Sequence, residues 1–401
     1  MKTLLIHPGT QYSHRLAYQL NRIGYLYKFI TGIAFASDSF WLKNTPRFLK
    51  ARISNRILDK SITANQIEII PLPELTALYR LFRKHDMETV LHNRNELFQR
   101  RIKSKIIERA DQVIGFDTSS WILAERAGKL NKPFFLDQSI GHPIEKDSLF
   151  SILRQHYPEW KEDIPQKEIS LVRQEEEEHQ LSTRIIVASM FTKNSLVKNG
   201  VPANKIILNP YGIGQEFFRK KGQTRQKGKI RFVYLGTLGA RKGLPFLIET
   251  WMENELFKKA ELWLAGPGSD FAITTVANTP GLTYKGRVSY SQIPDLLTSC
   301  DCLIFPSFFE GFGQVILEAM AVGLPVITTE ATAGPDIIEN EVDGFIIPSG
   351  NKEELIKAMR VMIDDPALCF NMGNLAQEKA KLFSWNSYGD RWKAIIQAHG
   401  N

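Results

Sequence analysis

The stretch "SFFEGFGQVILEAMAVGLPVITTEATAGPD", residues 307–336, contains a conflict whose resolution decides how the chain folds. From Val315 to Val322 a helical wheel is apolar on every side except at Glu318. A carboxylate buried without a partner costs several kcal/mol or is forced to a shifted pKa, so Glu318 needs donors. A second acid, Glu310, stands eight residues earlier, with Gly311 and Gly313 between the two. The surroundings read as one βαβ unit. Strand "DCLIFPS" leads into the glycine loop and the helix, and Gly323 and Pro325 stop that helix ahead of strand "PVITT". In open parallel sheets, ligands sit at the carboxyl ends of strands, which is where the 307–313 loop falls. Gly311 and Gly313 are expected to let the backbone approach a ligand, and the helix N-terminus offers N–H groups to an anion such as a diphosphate. Sugar hydroxyls are suitable donors for Glu318.

The same grammar extends outward in both directions. In the second half, "KIRFVYLGT", "AELWLAG", "LTYKGRV", "DCLIFPS" and "LPVITT" read as strands; in the first, "TLLIHPG", "QIEIIPL", "DQVIGFD", "PFFLDQS" and "TRIIVAS" do. Helical patterns follow most of them, for example His14 to Ile23 and Ser119 to Ala127. Near-continuous apolar runs alternating with helices specify α/β architecture: two doubly wound parallel-sheet, Rossmann-like domains with a cleft between them. The boundary is expected in "LNPYGIGQEFFRKKGQTRQKGKIRF", residues 208–232, a Pro/Gly turn followed by a polar, basic tract. Domains of 1–207 and 208–383 result. A terminal helix at 384–401, too rich in tryptophan to stand in water, is expected to pack back on the first domain.

With 401 residues, 43% hydrophobic and 23% charged, the composition is that of a globular protein too long for one core. No apolar run approaches the roughly 18 residues of a membrane span, and "MKTLLIHPG" is too short an apolar run for a secretory leader, so a cytoplasmic protein is expected. Cys300, Cys302 and Cys369 have no metal-type spacing and read as packing residues. The run Glu175 to Glu178 reads as a solvated helix face, because consecutive acids point in different directions. Charge is uneven. Residues 40–110 hold 15 Lys plus Arg against 7 Asp plus Glu, a surplus of 8 in a chain whose net charge is +8. After Pro46 this segment has a basic amphipathic helix pattern. Packing on its own domain is the first reading, a peripheral contact with anionic membrane through residues 40–60 the second, and nucleic acid the third, unsupported by any RNA motif or finger spacing.

The pair Glu310 and Glu318, followed by "AMAVGLPVI", resembles the signature of the family 4 retaining glycosyltransferases of group 1, which have the GT-B fold. "FVYLGTLGARKG", "LWLAGPG", "YKGRVSYSQIPDLLTSCDCLIFPS" and "ATAGPDIIENEVDGFIIPSG" resemble the same family across residues 206–383. The resemblance implies that Glu310 binds the donor sugar, that Glu318 binds the ribose hydroxyls, and that the loop of Gly311, Phe312 and Gly313 meets sugar and phosphates. Arg241 and Lys242 would neutralise the leaving diphosphate, Lys242 being the safer assignment because Thr237 follows Gly236 where the family often has Gly-Arg. Gly286, Arg287 and Val288 would face the base, and Gly236 and Thr237 would border the donor. His142, in "FFLDQSIGHP", would face the donor sugar. Gly9 and Thr10 lie in the first strand-to-helix loop, on the acceptor or phosphate side, where only one of the family's two glycines is present.

Three consequences follow from the resemblance. The donor is a nucleotide-diphosphate sugar, UDP- or GDP-linked; no protein nucleophile is needed; and, with no Asp-x-Asp motif and two basic residues at the diphosphate, neither metal nor cofactor is expected. A hydrolase using the two acids fits less well, because they lie in a phosphate-suited turn. A non-catalytic nucleotide-sugar-binding scaffold of the same fold remains the alternative. The reading requires Glu310 and Glu318 to face one hollow, free of ion pairs within a single lobe.

Overall fold

A computed structural model describes residues 1–10, 12–36, 56–218 and 228–400. The amphipathic pattern after Pro46, most of the 40–60 segment and the middle of the 208–232 tract lie outside the described residues.

In the first half the strands are β1 (Thr3–His7), β2 (Leu26–Thr31), β3 (Phe35–Ala36), β4 (Ile57–Leu58), β5 (Ile67–Ile69), β6 (Gln112–Phe116), β7 (Phe134–Gln138), β8 (Arg184–Val187) and β9 (Ile206–Leu208). Seven of them form a parallel sheet in the order β5-β2-β1-β6-β7-β8-β9, while β3 and β4 make a separate short pair. The second half holds β10 (Ile230–Leu235), β11 (Ala260–Ala265), β12 (Leu282–Tyr284), β13 (Cys302–Phe305), β14 (Val326–Thr329) and β15 (Gly344–Ile347), in the parallel order β12-β11-β10-β13-β14-β15. Each sheet starts at its centre, grows to one side, then crosses to the other. The two crossover points are β1/β6 and β10/β13, and open α/β sheets bind ligands at such points.

The expected doubly wound pair is therefore present, and every strand read from an apolar run exists. Five strands escaped the reading: the two-residue pair β3 and β4, and three in the main sheets. In β2, "LYKFIT", two half-buried positions interrupt the apolar run; β9 and β15 are short runs at sheet edges. The predicted helix at Ser119 to Ala127 forms as Trp121–Lys129, and that at His14 to Ile23 as Ser13–Arg22. The three cysteines are buried.

The acidic run departs from expectation. On the Ile169–Leu181 helix Glu175 and Glu178 are buried, and Glu178 accepts the N–H groups of Ser120 at 2.6 Å and Thr118 at 2.8 Å. The carboxyl thus serves the start of the Trp121–Lys129 helix, whose first N–H groups need acceptors. Periodicity identified the helix but not which neighbour would call for its acids.

The terminal helix, Trp385–His399, capped by Ser384, crosses back to the first sheet. Its Arg391 guanidinium donates to Asn209 Oδ1 at 2.7 Å and to the Pro210 carbonyl at 2.5 Å, and Asp390 pairs with Arg22 at 2.5 Å. Tyr388 and Trp392 are fully buried, Trp392 edge-on to Phe135 of β7. Replacing Trp392 with alanine is expected to cost about 3–5 kcal/mol, since the site is too crowded to collapse. Denaturant unfolding of the variant checks this, and a loss under about 1 kcal/mol means that the helix does not clamp the first lobe.

The lobes also share apolar surface. Leu153, Tyr157 and Trp160, beyond β7, lie in one buried cluster with Phe246, Leu247 and Trp251 of the second half. Ser269 Oγ donates to Asp163 at 2.9 Å, and the Met190 N–H to Asp336 at 2.8 Å. These contacts set how the two crossover points face each other.

Candidate functional site at the crossover of the second sheet

A cavity of about 500 Å³ opens at the carboxyl ends of β10 and β13. Gly236, Thr237, Lys242, Arg287, Val288, Glu310, Gly313 and Glu318 all line it. Sequence distance had scattered these residues over 83 positions, from 236 to 318. The sheet order brings them together because β10, β11 and β13 are neighbours.

The Gln314–Ala321 helix starts at Gly313, whose φ of +82° is left-handed and suits glycine. Every residue from Val315 to Ala321 is buried, so the helix is wrapped in core. Only the cavity gives Glu318 an outlet. Among the described residues no hydrogen bond or ion pair engages its carboxyl group. Burial, and then the charge of Glu216, push that group up to about 7. It is a carboxylate waiting for donors.

Glu310 is different: it faces the same hollow, but the requirement that both acids be free of ion pairs within one lobe fails for it, and Glu318 alone meets it. Its Oε2 is held by Lys242 Nζ and by Arg241 Nη1 at 3.1 Å, all within the second lobe. The Arg241 guanidinium also donates to the Phe309 carbonyl at 2.6 Å, and the Phe308 N–H to the Arg241 carbonyl at 2.9 Å. The two loops are thus stitched together. Burial raises the Glu310 carboxyl, but the two cations more than offset this and hold it below the usual carboxylate range. Two positive charges on one negative leave a net positive wall, with Lys242 set over the Phe305 ring at 4.8 Å. Arg287 stands exposed on the rim. An anion entering the cavity meets Lys242, Arg287 and the start of the Gln314–Ala321 helix.

Gly311 does not border the cavity. A Cβ there would lie 1.7 Å from the Ser139 carbonyl oxygen of the first lobe, so the glycine admits another backbone and not a ligand. Its own carbonyl accepts from Ser189 Oγ and from Thr192 Oγ1, the latter at 3.1 Å. Gly311→Ala is expected to push the lobes apart, lowering the thermal midpoint and enlarging the radius of gyration in X-ray scattering. Unchanged scattering with an unchanged midpoint refutes the wedge. Phe312 is likewise turned away, buried and edge-on to Tyr211 at 5.2 Å. Gly286 acts through its carbonyl, which accepts the Gly266 N–H at 3.0 Å and seats the 286–288 loop against the end of β11.

On the first lobe, His142 is buried and caps the Pro143–His156 helix. Its Nδ1 accepts the Ile144 N–H at 3.3 Å, and its ring lies 5.3 Å from that of His179. It is not among the residues lining the cavity, because the helix start claims one ring nitrogen; burial lowers its pKa and keeps it neutral. Gly9 and Thr10 also stand outside the lining. Tyr12, a residue the sequence reading passed over, reaches into it from the same loop. Burial, then the charges of Glu318 and Glu310, push its phenol above its ordinary value, so it stays a donor. The first crossover point was the available signal, since its loop must face the cleft.

Two doubly wound lobes with an anion-ready cavity between them define a GT-B-fold protein. Residues 215–379 match the family model of the glycosyl transferases, group 1, a match that spans most of the second lobe. An uncharacterised glycosyltransferase of Methanocaldococcus jannaschii is 26% identical over 214 residues, 51% of this chain and 56% of its own length. The MMP alpha-(1->4)-mannosyltransferase of Mycolicibacterium hassiacum is 22% identical over 281 residues, 66% of this chain and 65% of that protein. The chain spans about half the length of the first of these relatives. Among solved structures, Anabaena HepE in complex with UDP and glucose superposes over 99% of both chains with a TM-score of 0.64 at 16% identity, a likeness of fold.

Proposed function

We propose that the protein is a retaining, metal-independent glycosyltransferase that moves a sugar from a nucleotide-diphosphate sugar to a glycan or lipid-linked acceptor. The observation that carries this is the unpartnered Glu318 carboxyl in one cavity with Lys242, Arg287 and the Glu310 carboxylate. Glu318 is suited to accept from vicinal hydroxyls of a ribose, and the cations to hold a diphosphate. Glu310, pinned by Arg241 and Lys242, presents its edge to a sugar.

In the reaction the anomeric C–O bond to the diphosphate breaks and a bond from the acceptor oxygen forms on the same face. The acceptor proton passes to a phosphate oxygen, and nucleoside diphosphate leaves. Lys242, which lines the cavity, serves the charge that grows on the leaving group and so stabilises the transition state more than the bound donor. Arg241, outside the lining, holds Glu310 and the Phe309 carbonyl behind it. The cations make a metal ion unnecessary in this scheme. The cleft between the lobes must close over the donor to exclude water, which would otherwise hydrolyse it. HepE, solved in complex with UDP and glucose, supports a UDP-sugar, with a GDP-sugar as the other donor to test. A relative named as an amylovoran biosynthesis glycosyltransferase of Erwinia amylovora supports a role in cell-surface polysaccharide, lipopolysaccharide or glycolipid synthesis. Work at the inner membrane face, as a peripheral cytoplasmic protein, suits a lipid-linked acceptor. Among the described residues no helix is long and apolar enough to cross a membrane.

The test is incubation of purified protein and membrane extract with UDP-, GDP- and ADP-sugars, with and without a chelator, following nucleotide release. Product anomers are then assigned by NMR. Retained configuration and turnover in chelator are expected. Binding of a nucleotide sugar with no turnover on any acceptor identifies the scaffold reading instead.

A further inference from the structure

The helices Pro71–Phe82 and Met87–Arg101 form a hairpin in the first lobe. The first has an apolar stripe that nothing among the described residues covers: Leu72, Leu75, Leu78, Tyr79 and Phe82 are exposed, and Met87 continues it across the turn. Phe82 is 84% exposed, Tyr79 64% and Met87 63%. Large side chains spaced by three and four along about 18 Å of helix lose hydrophobic free energy in water, and their grouping marks a contact surface.

Charge says what it contacts. From Pro71 to His85 the only acid is Glu74, which is buried and held by Arg56 at 2.6 Å and Arg94 at 3.1 Å. Arg80, Arg83 and Lys84 are all exposed at the end that carries Phe82. The nearby Asp86 is spent on the Thr89 N–H at 2.7 Å, capping the second helix. An apolar stripe whose exposed charges from Pro71 to His85 are all basic, with the exposed Asp86 engaged as a helix cap, suits an anionic lipid surface, where the rings enter the interface and the long cations reach back to phosphates. The hairpin also touches the cleft. Asn95 donates to the Thr118 carbonyl at 2.8 Å, and a Cβ on Gly9 would lie 3.9 Å from Arg94, so the loops at the first crossover point rest on the second helix. Docking through the tip would hold those loops about two helical turns from the membrane.

We propose that the 71–87 face is a docking surface for anionic membrane, setting the first lobe against the layer in which a lipid-linked acceptor resides. This deepens the transferase reading and rests on it for the acceptor, but the docking is measured without donor or turnover. Purified full-length protein is floated with vesicles of equal phosphatidylglycerol and phosphatidylcholine, and with phosphatidylcholine alone. Flotation with the anionic vesicles is expected, weakened at least about tenfold both by 0.5 M salt and by Leu75→Glu with Phe82→Glu. UDP binding by the double variant, measured by calorimetry against wild type, reports that its cavity is intact. The proposal is overturned if wild type does not float, if it floats equally with both vesicle types, or if the double variant floats as wild type does. A lipid-free dimer that the double variant dissolves also overturns it, in favour of a second copy on this face. Failed flotation with active transfer rejects docking alone, and flotation without transfer rejects the enzyme reading alone.

Discussion

Replacing Lys242 with alanine lowers turnover of the nucleotide-sugar donor by about 10²–10³-fold, the effect of removing one preorganised charge from a developing anion. The lysine lines the cavity, is mostly buried and is pinned to Glu310, so it meets the diphosphate without reorganising. The substitution has a second consequence. It leaves the Glu310 carboxylate with Arg241 alone, and breaking a buried pair from one side costs about 3–5 kcal/mol. Replacing both partners, Lys242→Ala with Glu310→Gln, removes the unpaired charge and is expected to recover most of that stability while turnover stays low. Denaturation of the four proteins in this cycle, beside their kcat/KM values, separates the two roles. Lys242→Ala turning over donor within about threefold of wild type would remove Lys242 from the chemistry.

The second large effect runs in opposite directions for stability and binding. The Glu318 carboxyl is raised from 4.5 to about 7, chiefly by burial, so in the empty protein the folded state holds its proton more tightly than the unfolded chain does. Stability contributed by the neutral form is full below 4.5, falls as pH rises from there through 7, and levels off above. By pH 8 ionisation costs about 3 kcal/mol. Glu318→Gln abolishes this titration, so the empty variant is expected to be more stable than wild type at pH 8 and nearly equal to it at pH 4.5. The same variant loses a charged acceptor for hydroxyls and binds nucleoside diphosphate about 10–100-fold more weakly at pH 8. Melting curves at the two pH values and calorimetric titration with UDP and GDP give both numbers. A variant less stable than wild type at pH 8 would mean that Glu318 has an internal partner after all.

These two acids mark how far the site was legible. Both were found from the sequence, Glu318 as a charge on an apolar wheel and Glu310 by its glycine neighbours. Their difference was not. Glu310 is ion-paired through residues 68 and 69 positions away, and no local pattern announces that Lys242 and Arg241 fold onto it while Glu318 has no counter-ion among the described residues. His142 shows the converse. Its place just past a strand end was read correctly, but the start of a helix that the reading did not include takes its Nδ1, and His142 is buried outside the cavity lining. Gly311 was read as room for a ligand because a glycine's freedom is visible in sequence, whereas the group that uses the room, the Ser139 carbonyl, is not.

The sequence by itself determined the two parallel sheets, the βαβ unit around residues 307–336 and the acids it carries. Apolar period, glycine and proline act over a few residues and need no distant partner to be recognised. Only the tertiary structure decided which acid is neutralised, that Tyr12 of one lobe faces the glutamates of the other, and that the stripe from Leu72 to Met87 is left uncovered by the other described residues. Burial and Coulomb energy depend on distance in space, and here that distance is set by the order of strands in the sheets and by how the lobes close upon each other.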